Sequence, residues 1–179
     1  ADPYKIANEM KDTILYYLSS HQEDIPEILS PPKIFISYSH KDTKWLKMVK
    51  IHLEPLQKEK KISYWADTLI KAGEEWREKI MQSLNASRAA ILLVSPEFLA
   101  SNFITRNELP PLLEAAKKKG TVILPVIISS CRIDLYESLS RFQSVNDPKT
   151  ETLIDLSEGE QHKILVRLSH AVEEAIKKP

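Results

Sequence analysis

From residue 33 onward, the chain alternates short apolar runs with amphipathic stretches. Five runs are bounded by polar residues, and several lack the polar alternation of a half-exposed strand: "KIFISYS", "ISYWA", "AAILLVS", "TVILPVIIS" and "TLIDL". Uninterrupted apolar runs of this length are typical of strands covered on both faces. The pattern therefore predicts five strands.

The stretches between these runs have helical periodicity. Helices are predicted at residues 43–57, 74–86, 109–119 and 158–177, the third ending at Gly120 and the last opening with a capping box of Ser157 and Glu160. Their inward positions recur every three or four residues: Trp45, Val49, Leu53 and Leu56, then Trp76, Ile80 and Leu84, and finally Ile164, Leu168, Val172 and Ile176. Strands separated by helices imply parallel pairing with right-handed crossovers. We predict an α/β fold with a five-stranded, doubly wound parallel sheet and helices on both faces.

The first 32 residues have a different pattern. Residues 4–18 carry apolar side chains at helical spacing, which predicts an N-terminal amphipathic helix, and Pro26, Pro31 and Pro32 make residues 19–32 a connector. We divide the chain into this helix and linker, residues 1–32, and a main domain, residues 33–179. The helix packs on the domain or belongs to a lost neighbour. Because the chain begins "ADP" without an initiator methionine, we interpret it as a piece of a larger parent protein, whose other domains would be partners.

Composition limits the partners and the compartment. The 25 basic and 25 acidic residues cancel, so we expect no direct binding of nucleic acid and no membrane attachment through charge. No apolar run approaches the roughly 20 residues that span a bilayer. Cys131 is the only cysteine, which excludes an internal disulfide and suits a reducing compartment. We expect a cytoplasmic protein.

Several familiar chemistries are excluded by motif. The three glycines, at positions 73, 120 and 159, form neither a Walker-type phosphate loop nor a dinucleotide fingerprint. No GxSxG elbow occurs, and the five histidines are scattered without ligand spacing, so we predict no metal site. Ligands of open parallel sheets bind beyond the carboxyl ends of the strands, and the loops there carry the candidate residues.

The loop after the first predicted strand, "SYSHKD", brings Ser39, His40 and Lys41 to this edge, with Asp42 placed to cap the next helix. A turn and a ligand contact are both open interpretations. In the loop "ADTLIKAGEEW", Leu69 and Ile70 are apolar between Asp67 and Gly73. These side chains either pack back onto the domain or serve a protein partner or a lid.

The stretch "SPEFLASNFITRNELPPLLEAA" sets Glu108 just before two prolines. Asn107 or Thr105 could cap the following helix, and Pro110 and Pro111 fit only within its first turn. Glu108 would then begin the helix at the strand-end crevice, where the helix dipole favours a negative charge. From spacing alone, a helix-terminal acid and a catalytic carboxylate both remain open.

Together these segments strongly resemble the TIR (Toll/interleukin receptor) domain, especially its bacterial form. The residues that carry the resemblance are "KIFISYSHKD", "YWADTLIKAGEEWREKIMQSL", "RAAILLVSPEFLASNFITRNEL" and "VILPVIIS", and it extends over about residues 33–177. The resemblance implies a flavodoxin-like sheet and one of two functions. Some TIR domains hydrolyse NAD+ to nicotinamide and ADP-ribose, or cyclise the product, in defence or cell-death signalling. Others only bind TIR domains in signalling or as adaptor mimics.

The resemblance also assigns roles to residues. It implies that Glu108 is the catalytic carboxylate, that Ser39, His40, Ile70, Gly73 and Phe103 contact NAD+ as substrate, and that no further cofactor is needed. The BB loop, Asp67–Gly73, would complete a neighbouring domain's pocket through Asp67, Leu69 and Lys71, so that self-association activates the enzyme. Glu108 favours the enzyme, whereas Ile104 in place of a frequent tryptophan and the absence of arginine after "SY" favour the binding module.

Overall fold

The computed structural model divides the chain into two compact units, Ala1–Pro31 and Pro32–Pro179. It describes residues 30–66, 82, 86–102 and 104–178, with the side chains at positions 65, 66, 107 and 108 left out. The predicted helix at 4–18, and that at 74–86 except for positions 82 and 86, lie outside the described residues. The boundary at residue 33 therefore stays a prediction, and the elements with described positions belong to the second unit.

Four parallel strands form the sheet in the described residues. They are β1 (Lys33–Ser37), β2 (Ser63–Ala66), β3 (Ser87–Val94) and β4 (Val122–Ile127), in the order β2-β1-β3-β4. All three pairings are parallel. The chain moves from β1 outward to β2, then returns to β3 and continues outward to β4, so the winding reverses between β1 and β3. This is the flavodoxin-like, doubly wound arrangement.

Helices follow the predicted positions closely. The helices are α1 (Thr43–Lys58), α2 (Pro96–Ala100), α3 (Leu109–Lys119), α4 (Glu137–Ser140) and α5 (Glu158–Lys177). The predictions at 43–57, 109–119 and 158–177 are confirmed. Gly120 ends α3 with φ of 72°, a left-handed conformation that costs glycine little. Ser157 and Glu160 form the predicted reciprocal capping box of α5.

Both faces of the sheet are covered, as predicted. The alternate side chains Ile34 and Ile36 of β1 pack with α1 and α5, while Phe35 packs with residues of α2, α3 and α4. Central positions such as Leu53 and Leu168 are fully buried. Burial of each such side chain contributes about 1.5–3 kcal/mol, which explains why the strands are apolar on both faces.

The prediction of a fifth strand at "TLIDL" is wrong. Its centre, Leu153–Asp155, is a short 3-10 helix in which the Thr152 hydroxyl donates a hydrogen bond to the Asp155 carboxylate. The edge of β4 is covered instead by isolated contacts. The backbone N–H groups of Val145 and Ile154 donate to the carbonyls of Pro125 and Ile128, at 2.8 and 2.9 Å. The local hydrogen bond between Thr152 and Asp155 stabilises a turn here, so these apolar residues do not form a strand.

Candidate functional site

The carboxyl ends of β1 and β3 lie side by side, and the topology assigns the candidate crevice to this edge of the sheet. Ser37 at the end of β1 is paired in register with Leu92 of β3, so the loops that follow both strands leave the same edge of the sheet. This is also the point where the winding direction reverses. Ligands of doubly wound folds bind at such switch points. The loop with Ser39 and His40 and the segment that leads to Glu108 both start here.

The loop after β1 combines a buried anchor with exposed polar side chains. Tyr38 is only 3% exposed and belongs to the core, while the His40 ring lies edge-on to it with centroids 5.8 Å apart. The Ser39 side chain accepts a 3.4 Å hydrogen bond from the Lys41 N–H, and His40 and Lys41 are exposed. Ser39 and His40 are therefore close neighbours at the crevice edge, available to a polar or anionic ligand.

Asp42 does not act as the helix cap that was predicted. It holds the N-cap position of α1, but its side chain makes no capping hydrogen bond, and its backbone (φ −99°, ψ 21°) departs from the extended conformation usual for a cap. Its carboxylate instead accepts a 2.5 Å hydrogen bond from the Ser95 hydroxyl, and both residues are buried. Burial raises the pKa of Asp42, the Ser95 bond opposes this, and the nearby Glu97 raises the pKa further.

Ser95 joins this contact to the segment after β3. It is fully buried, and its Oγ also accepts a 3.0 Å hydrogen bond from the Phe98 N–H, which makes Ser95 the N-cap of α2. Sequence reasoning missed this role. The signal was available, because serine directly before proline at the first helical position is a typical helix start.

The segment after α2 has a different start from the one predicted. Ser101 Oγ accepts a 3.3 Å bond from the Ile104 N–H, and the Ser101 carbonyl accepts from the Thr105 N–H at 3.0 Å and from the Thr105 hydroxyl at 2.9 Å. Thr105 therefore bonds backward and does not cap α3. A π turn, Ile104–Glu108, runs directly into α3. Glu108 is therefore the last residue of a π turn that continues into α3, and not the first residue of an isolated helix.

The two prolines fit as predicted, in the first turn of α3. Neither Pro110 nor Pro111 has an N–H to donate to the preceding turn, and the wider π turn occupies that position. Other predicted site residues lie outside the described part of the chain: Phe103, Asp67, Leu69, Ile70, Lys71 and Gly73. For Glu108, the backbone is described and the side chain is not.

The loop after β4 also contacts the segment from Ser95 to Leu99, which the loop after β1 contacts through Asp42. The Tyr136 hydroxyl donates a 3.0 Å hydrogen bond to the Leu99 carbonyl in α2, and the partly buried Tyr136 packs against the core cluster that contains Phe98. Burial raises the pKa of the Cys131 thiol in this loop, which disfavours a reactive thiolate. The segment from Ser95 to Leu99 is thus held by the loops that follow both β1 and β4.

Metal ligation and membrane spanning find no support in the residues that the structure describes. No group of three or more histidine, cysteine, aspartate or glutamate side chains there could hold a metal ion. No helix in the same residues combines the length and the apolar character required to cross a bilayer.

Comparison with known proteins identifies the family. The family model described as the TIR domain matches residues 34–168. The uncharacterized protein y4lF of Sinorhizobium fredii (strain NBRC 101917 / NGR234) is 30% identical over 100 residues, which are 56% of this chain and 31% of that protein. This chain therefore spans less than a third of the relative.

One solved structure shares the fold, and a second matches more weakly. The TIR domain heterodimer of RPS4 and RRS1 matches with a TM-score of 0.54 and 9% identity, over 82% of this chain and 99% of the other. The TIR domains in the activated Roq1 resistosome, which directly recognizes the pathogen effector XopQ, match with a TM-score of 0.43 and 20% identity, over 82% of this chain and 84% of the other. This TM-score is too low to bear on the fold. Since the family model matches most of the sequence, this chain belongs to the TIR domain family.

Proposed function

We propose that this TIR domain is an NAD+ glycohydrolase, in which Glu108 is the catalytic carboxylate and Ser39 and His40 contact the substrate. The observation that supports this most directly is the Ser95–Asp42 hydrogen bond across the β1–β3 switch point. It ties the segment that ends in Glu108 to the loop that carries Ser39 and His40. A substrate in this crevice would be within reach of both segments.

The chemistry requires only one carboxylate. Ordinary glycosidases use two, one of which protonates a poor leaving group. The nicotinamide of NAD+ is already cationic, so it departs as a neutral molecule with the electron pair of the C1′–N bond. Water then adds to C1′ and loses a proton, giving ADP-ribose and H+. An ionised Glu108 would stabilise the oxocarbenium-like transition state or orient the water, an effect that grows as solvent is excluded.

The diphosphate would be met by the loop after β1. Lys41 and His40 are exposed there. Lysine contacts phosphate as a point charge without the bidentate geometry of arginine. We therefore expect weaker diphosphate binding than an arginine pair would give, and a KM for NAD+ that rises with ionic strength.

Self-association is part of the proposal. The RPS4 and RRS1 TIR domains form a heterodimer in the solved structure that shares this fold. For this chain, we propose that the BB loop at residues 67–73 completes the pocket of an adjacent copy. Activity would then rise more than linearly with protein concentration, as for a weak and conditional interface.

The test is nicotinamide release from NAD+ across a range of protein concentrations, with and without a crowding agent. Release that increases with assembly supports the enzyme. The competing function is a TIR–TIR interaction module, to which the heterodimeric relative also points. Binding to a second TIR domain without nicotinamide release, even when the chain is fused to an oligomerising partner, would favour the module instead.

A further inference from the structure

The buried carboxylate of Asp42 has no role in the proposed chemical step. It lies in the loop after β1, is 7% exposed, and makes its side-chain contact with Ser95. Ser95 is 53 residues further along the chain, beyond α1, β2 and β3. An ionised carboxylate only accepts hydrogen bonds, so Asp42 determines the direction in which the Ser95 hydroxyl donates. The remaining lone pairs of that hydroxyl are then free to accept the Phe98 N–H.

From Ser95, backbone and side-chain hydrogen bonds continue toward Glu108. The Ser101 N–H donates to the Phe98 carbonyl at 3.2 Å, and the Ser101 carbonyl accepts from both the N–H and the hydroxyl of Thr105. Thr105 lies in the same π turn as Glu108. The path from Asp42 to this turn is therefore continuous through short contacts, and the bond from Tyr136 to Leu99 limits movement on the far side.

Stability alone does not explain a carboxylate at position 42. Burial raises its pKa, which means that the ionised form is disfavoured in the folded protein. For an acid with a raised folded pKa, the folded state binds more protons than the unfolded chain, so stability decreases as the pH rises above the unfolded value of 3.8. Ionisation of Asp42 thus opposes folding. A neutral acceptor would avoid this cost.

We infer that Asp42 and Ser95 are a positioning pair that fixes the segment leading to Glu108 against the loop bearing Ser39 and His40. Its effect on rate rests on the proposed function, whereas its effect on backbone order does not. Displacement of a catalytic group by about 1 Å can reduce the rate about a hundredfold. The pair acts as one unit, because Ser95 without Asp42 can reorient its hydroxyl and weaken the cap on α2.

Hydrogen exchange on the full chain tests the effect on order. In Ser95→Ala, the amides of Phe98, Ser101 and Thr105 should exchange at least about tenfold faster than in the wild type, with α5 unchanged. Asp42→Asn should give a smaller increase at the same amides, and its Tm at neutral pH should equal or exceed that of the wild type. Asp155→Asn is the matched control, since it alters a second aspartate–hydroxyl pair that does not contact α2.

Kinetics tests the effect on rate. In Ser95→Ala, kcat for nicotinamide release should fall about tenfold or more while KM changes little, because orientation and not binding is lost. The double variant Asp42→Asn/Ser95→Ala should be no slower than the slower single variant, as expected of residues that act as a unit. If the losses in kcat of the two single variants add in the double variant, or if kcat is unchanged, Asp42 and Ser95 are not a positioning pair.

The two proposals fail in different ways. If the wild type releases no nicotinamide, the proposed function fails, and exchange at Phe98, Ser101 and Thr105 still decides the positioning role. If Glu108→Gln abolishes release but Ser95→Ala leaves both exchange and kcat unchanged, the positioning pair alone is wrong. If Ser95→Ala does not fold, hydrogen exchange and kcat of Asp42→Asn test the positioning role instead. This variant should fold, because asparagine retains an acceptor oxygen for the Ser95 hydroxyl.

Discussion

Asn146 closes the edge of β4 by pairing its side-chain amide with the backbone of Ile127. Its Oδ1 accepts from the Ile127 N–H and its Nδ2 donates to the Ile127 carbonyl, both at 2.8 Å. Asn146 and Ile127 are each 1% exposed. One carboxamide thus supplies the reciprocal bonds that a neighbouring strand would have made at this position.

The pairing predicts a large stability loss in Asn146→Ala. The variant leaves a buried N–H and a buried C=O without these partners, at about 1–3 kcal/mol for each group. We expect a lower urea midpoint with an unchanged m-value. Gln143→Ala removes an amide from the same loop that is less buried and should be nearly neutral. Equal midpoints for the two variants would show that the Asn146 pairing contributes little.

Ser101 is predicted to stabilise the segment that carries Glu108. In Ser101→Ala the Ile104 N–H loses its side-chain acceptor, which for a helix cap costs about 1 kcal/mol. Ser140→Ala is a suitable control, because its hydroxyl is exposed and bonds only within α4. We expect a lower Tm and reduced nicotinamide release for Ser101→Ala alone. A wild-type Tm and rate in this variant would contradict the capping role.

The His52–His162 contact predicts that mild acid destabilises the domain. The two rings join α1 to α5 with 2.8 Å between Nε2 and Nδ1. Burial lowers the pKa of His52 below 6.5, and His162 lowers it further. The unfolded chain therefore binds more protons than the fold once the pH falls through about 6.5, so this contribution to stability is complete above that pH and decreases below it.

Urea unfolding between pH 7.5 and 6.0 measures this effect. In His52→Gln the decline in stability with acidification should be smaller than in the wild type. His170→Gln, which alters an exposed histidine on α5, should behave like the wild type. Parallel pH dependences for all three proteins would exclude His52 as the source.

Most of the fold follows from periodicity, and the exceptions depend on contacts between distant residues. The apolar runs of β1 to β4 and the stripe from Trp45 to Leu56 are local patterns, and the structure confirms them. "TLIDL" has an equally apolar pattern, but the amide of Asn146 and the turn at Asp155 prevent strand pairing, and a pattern of apolar residues records neither. Pro125 within "VILPVI" was a usable signal that β4 is an edge strand.

The candidate site was predictable only in part. Parallel topology brings the loops after β1 and β3 together, as expected from the strand–helix alternation. The role of Asp42 was not predictable, because an aspartate before a helix normally caps it and its actual partner, Ser95, is distant in sequence. The roles of Phe103, Ile70 and Gly73, and of the interface residues Asp67, Leu69 and Lys71, stay predictions.

The most direct test of the proposed enzyme compares nicotinamide release by the wild type, Glu108→Gln and Glu114→Gln under conditions that promote assembly. Glu114 is an exposed acid on α3 that pairs with Lys118, so its variant repeats the same chemical change away from the crevice. We predict release by the wild type and Glu114→Gln and a loss of at least about a hundredfold in Glu108→Gln. Undiminished release by Glu108→Gln, or silence of all three when artificially oligomerised, would contradict the proposal.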